Sequence, residues 1–99
     1  MGGMPKIETI EKPGQKNGRD GAADGLAQVI LFNDEHNEAG YVASCLMRIF
    51  GHSGPLAEKI MLEAHTRGRA IAEVEGMEDA RRHCAALQEA GLGASVESV

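Results

Sequence analysis

Gln28-Val29-Ile30-Leu31-Phe32-Asn33-Asp34-Glu35 sets a run of four apolar residues against an abrupt polar corner. Short, β-branched and too brief for a helix, the run predicts a buried strand over residues 27–32. Asn-Asp ends it, because both side chains hydrogen-bond nearby backbone in turns. Beyond the corner, Asn37 is the expected N-cap of a first helix. From Tyr41, the apolar positions Val42, Leu46, Ile49 and Phe50 then recur at helical spacing up to Gly51. Ser53 is placed to cap a second helix, with Pro55 in its first turn and Leu56, Ala57, Ile60, Met61 and Ala64 on one side. Gly68 supplies the left-handed stop.

Residues 69–75 predict a second strand from the alternation of Ala70, Ala72 and Val74, with Ile71 interrupting the period. Gly76 turns the chain into a third helix, from Met77 to about Ala90. Gly91 and Gly93 end it before a last strand over residues 94–97. The order β-α-α-β-α-β, with short connections, predicts an α+β fold: a small three-stranded antiparallel sheet packed against three helices on one face. Residues 1–25, with six glycines and scattered apolar side chains, predict a flexible N-terminal extension. Residues 26–99 form the single folded domain.

The chain has 99 residues, 42% hydrophobic but only 3% aromatic and without tryptophan, so its core must come from Leu, Ile, Val, Met and Ala. Of 15 acids and 10 bases the leader holds four each, which leaves the domain 11 acids against 6 bases. An acidic domain repels phosphate backbones and anionic membranes, so neither nucleic acid nor membrane is an expected partner. No apolar run before Gly40 exceeds four residues, so neither a signal peptide nor a transmembrane span is expected. Cys45 and Cys84 stand apart, which implies a reducing cytoplasm and thiols used as apolar fillers.

Asn33 and Asp34 gain a chemical meaning beside His65, which ends the second helix four residues after Met61. An ammonium group offers three donors and no acceptor. Asn33 has a side-chain carbonyl, neutral His65 a ring nitrogen, and Asp34 a negative charge. With Val42, Leu46, Met61 and Ala64 nearby, such a clamp would suit the free N-terminus of a peptide and its first apolar side chain. The bland reading makes Asn-Asp a turn, His65 a dipole partner and the apolar residues ordinary core, Leu46 above all. Nucleophilic catalysis through Ser44 or Cys45 lacks a glycine elbow, an oxyanion loop and an orienting group. The spacings of His36, His52, His65, His83 and the cysteines match no zinc module, and no phosphate-cradling loop is present, so no cofactor is expected.

Residues 28–83 resemble the ClpS adaptors of bacterial Clp proteases. The resemblance rests on Val29-Ile30-Leu31-Phe32-Asn33-Asp34 followed by an acid, on Met61-Leu62-Glu63-Ala64-His65, and on Gly68-Arg69-Ala70 directly after. It runs without gaps from Val29 to Val74. It implies a non-enzymatic, monomeric, cytoplasmic adaptor that binds N-degron substrates with a bulky hydrophobic first residue and delivers them to a ClpA-type AAA+ unfoldase through its N-domain. By the same resemblance Asn33, Asp34 and His65 hold the α-amino group. Ala39, Val42, Met61 and Ala64 line the side-chain pocket with Asn37 at its rim, and Glu78 and His83 meet the unfoldase. Three positions depart from the family pattern. Ala39 stands where methionine is usual and Ala64 where a branched residue is common, which implies a wider pocket. His83 replaces a basic residue, and the chain after it is shorter than usual. The alternative reading keeps the fold as a protein-docking module without amine recognition.

Overall fold

Strand β1 (Leu26–Phe32) forms where the apolar run predicts it, at the centre of a three-stranded antiparallel sheet. β2 (Arg69–Gly76) and β3 (Ala94–Ser98) flank it in the order β2-β1-β3. The computed structural model describes residues 25–99, so the expected leader lies, Gly25 apart, outside the described residues. Three helices, α1 (Ala39–Phe50), α2 (Gly54–Arg67) and α3 (Met77–Glu89), complete the expected α+β architecture. Ala27, Val29 and Leu31 point from β1 into one core with Val42 and Leu46 of α1, Ala57 and Ile60 of α2 and Leu87 of α3.

The caps follow the sequence in most places. Ser53 accepts from Leu56 N at 3.3 Å, and Gly51 and Gly68 take the left-handed conformation at φ 76° and 91°. Three expectations need correction. Asn37 is not the N-cap of α1: Glu38 occupies that position without a side-chain cap, and the Asn37 amide bonds elsewhere. Val74 does not share a face with Ala70 and Ala72. Val29 pairs with Glu73 but Ile30 with Ile71, so Ala72 is the extra residue of a β-bulge. The bulge inverts the alternation beyond it. Val74 turns outward at 45% exposure, and Glu75 turns inward to accept from His83 Nδ1 of α3 at 2.7 Å. The Ala72 carbonyl accepts from His52 Nε2 at 2.8 Å. Leu56, expected on the packed side of α2, also remains exposed in its first turn.

The opposite face of the sheet carries Leu26, Ile30, Phe32, Ile71 and Val74. Arg69, opposite Phe32, reaches Glu97, opposite Gln28, at 2.8 Å. That ion pair crosses β1 over Ile30, which is fully buried.

Candidate functional site

Asn33 and Asp34 leave β1 at the end where α2 returns. Asn33 N donates to Gly68 O at 3.0 Å, while Phe32 pairs with Arg69. Gly68 caps the helix whose last turn carries His65, so the fold brings the corner to the end of the histidine's helix. Asn33 is half-buried and His65 exposed.

Asp34 organises the corner. Its Oδ1 accepts from His36 N and Asn37 N, both at 2.8 Å, and its Oδ2 accepts from Asn37 Nδ2 at 2.8 Å. The Asn37 side chain and then its backbone N–H hold the Asp34 carboxyl below its ordinary value of 3.8 against the opposing effect of burial, with His36 adding the least. Asp34 is therefore a carboxylate throughout the neutral range. Asn37 Nδ2 also donates to Gly91 O at 3.2 Å, and Tyr41 Oη donates to Ala90 O at 2.6 Å. The carbonyl ends of both α2 and α3 thus meet the corner, each equivalent to about −0.5 charge.

The apolar residues divide. Val42 and Ala64 are 4% and 2% exposed and belong to the core, as does the fully buried Leu46. Met61 is half-buried against that core, and Ala39 is exposed in the first turn of α1. Glu78 and His83 lie apart from the corner on α3. Glu78 is exposed in the first turn; His83 is half-buried between Glu75 and the Phe50 ring, whose centroid is 4.9 Å away edge-on. No local pattern marks Tyr41, Ala90 and Gly91 as parts of the corner, because their partners lie about half the chain away.

A reactive thiol finds no support. Cys45 is wholly buried, and burial pushes the Cys84 thiol up, away from the thiolate a nucleophile needs. Among the described residues no group of three or more His, Cys, Asp or Glu is placed to hold a metal, and no helix is long and apolar enough to cross a membrane.

The described residues define a small α+β binding domain, with acceptors and helix carbonyl ends gathered at one end of a sheet. The family model for "ATP-dependent Clp protease adaptor protein ClpS" matches residues 23–95. The ClpS adapter of Synechococcus elongatus is 36% identical over 92 residues, 92% of this chain and 95% of that protein. A chloroplastic Clp protease adapter of Arabidopsis thaliana is 42% identical over 71 residues, 71% of this chain and 45% of that protein. The structure of Agrobacterium tumefaciens ClpS2 bound to L-phenylalaninamide matches with a TM-score of 0.68 at 28% identity, covering 75% of this chain and 96% of the other. This chain belongs to the ClpS family of Clp protease adaptors, which are not enzymes.

Proposed function

We propose that the chain binds the free N-terminal residue of N-degron substrates and delivers them to a ClpA-type AAA+ unfoldase. Asn33, Asp34 and His65 receive the α-amino group. Ala39, Val42, Met61 and Ala64 receive the first side chain, with Asn37 at the rim. The observation that carries this reading is the 3.0 Å bond from Asn33 N to Gly68 O, which ties the acidic corner to the end of the helix bearing His65. The Agrobacterium relative's ligand, phenylalaninamide, has the chemistry the reading requires: a free α-amine on an apolar side chain. Glu78 and His83 are the proposed unfoldase contacts. The free, buried cysteines suit a reducing cytoplasm, and the adaptor is proposed to act as a monomer.

Magnitudes assign the amine a large share. Burying one Leu or Phe side chain contributes about 1.5–3 kcal/mol, whereas a micromolar complex needs about 8 kcal/mol. Charge-assisted bonds to the ammonium, roughly 1.5–3 kcal/mol each, must supply much of the difference. Calorimetric titration with a Leu-first peptide and its N-acetylated copy tests this. The free peptide should bind and the acetylated one should not. Equal affinities would leave the docking module without amine recognition. Ala39→Met should narrow the mouth and raise selection for Leu over Val at the first position, and an unchanged ratio would remove Ala39 from the pocket.

A further inference from the structure

The end of α3 is closed by its own backbone. Leu92 N donates to Leu87 O and Gly91 N to Gln88 O, both at 3.0 Å, with Gly91 at φ 93°. That arrangement satisfies the carbonyls of Leu87 and Gln88 and leaves those of Ala90 and Gly91 turned outward. Side chains at the start of α1 take both: Tyr41 Oη reaches Ala90 O at 2.6 Å, and Asn37 Nδ2 reaches Gly91 O at 3.2 Å. On the far side of the turn, Phe32 N donates to Gly93 O at 3.0 Å. The turn is thus fastened to the corner at both of the corner's ends.

Asn37 is the link that matters. Its primary amide has two N–H groups, and one Nδ2 serves both Asp34 Oδ2 and Gly91 O. The position of Gly91 O therefore sets the plane of the Asn37 amide, and through it the Oδ2 side of the Asp34 carboxylate, whose Oδ1 is held by the backbone N–H groups of His36 and Asn37. Gly91 O is itself one residue from the carbonyl that Tyr41 holds.

We propose that Tyr41 is a positioning residue for amine recognition, acting through the Ala90–Gly91 carbonyls and Asn37 to set the orientation of Asp34. The proposal rests on the functional reading above and adds a residue that never touches the ligand. The neighbouring Cys45 side chain and burial hold the phenol above its ordinary range, so it remains a donor wherever the peptide binds.

The test compares wild type, Tyr41→Phe, Asn37→Ala and the double variant in two measurements. One is calorimetric affinity for a Leu-first peptide and its des-amino analogue; the other is the carbon-13 NMR titration of the Asp34 carboxyl without ligand. Loss of one hydroxyl bond should weaken the free-amine peptide about three- to tenfold, leave the des-amino analogue unchanged, and move the Asp34 titration up toward 3.8. Asn37→Ala should do the same more strongly, and the double variant should be no weaker than Asn37→Ala alone. The proposal is overturned if Tyr41→Phe binds the free-amine peptide within twofold of wild type with Asp34 unmoved, or if the two substitutions simply add. A wild type indifferent to the amine would instead sink the functional reading; the Asp34 titration would still decide whether Tyr41 sets the carboxylate.

Discussion

Asp34 makes the corner sensitive to acid, and the sign follows from its bonds. The folded state lowers its pKa from 3.8, so the charged form is favoured on folding. The stabilisation is complete above the ordinary value and is lost as pH falls through the lowered folded value. Asp34→Asn replaces an acceptor by an NH2 group facing the NH2 of Asn37, and should cost roughly 1–2 kcal/mol at pH 7. Urea denaturation at pH 7 and near pH 3 checks this: the gap between the two proteins should shrink at the lower pH, and a constant gap would assign it to packing. The places of Asn33 and Asp34 at a strand end and of His65 in a helix's last turn were legible because local turn and cap chemistry marks them. Asn37 was misread as a cap because its side chain turns back to Asp34 and across to Gly91, 54 residues away, a partner that no local pattern marks.

At the scale of elements, β2 shows what periodicity can and cannot convey. Ile71 broke the alternation in the sequence, and the physical cause is a bulge one residue later. Its free carbonyl sits on an outer strand of the sheet, where the His52 ring satisfies it while stacking on Phe50 at 5.2 Å between centroids. His52→Ala should leave the half-buried carbonyl without its donor and cost about 1–3 kcal/mol. His52→Gln, which keeps an N–H donor of similar reach, should recover part of the loss. Chemical denaturation of the three proteins reads this directly, and equal losses for Ala and Gln would make the histidine's role one of packing alone. The helices were easier to read, since Ser53, Gly51 and Gly68 mark their ends by local chemistry.

For the whole molecule, strand and helix order implied an antiparallel sheet, but the central place of β1 had a subtler sign: apolar residues on both of its faces, including the fully buried Ile30. That architecture places the proposed substrate and unfoldase contacts at different points along one rigid helix. Glu78 stands in the first turn of α3, while the corner grips the turn beyond its last residue, roughly 18 Å away along the axis. Perturbations so far apart and without shared partners act independently. Glu78→Ala should therefore leave affinity for a Leu-first peptide within about twofold, since independent sites couple by only about 0.3–0.5 kcal/mol, while weakening capture by a ClpA-type N-domain. His65→Ala should do the reverse, losing at least about tenfold in peptide affinity with one charge-assisted bond and leaving N-domain capture intact. Calorimetry with each ligand on each variant settles the matter, because an adaptor must hold both partners at once. A substitution that weakened both affinities while leaving the fold's stability unchanged would mean that the two surfaces are coupled, and their independence along α3 would be overturned.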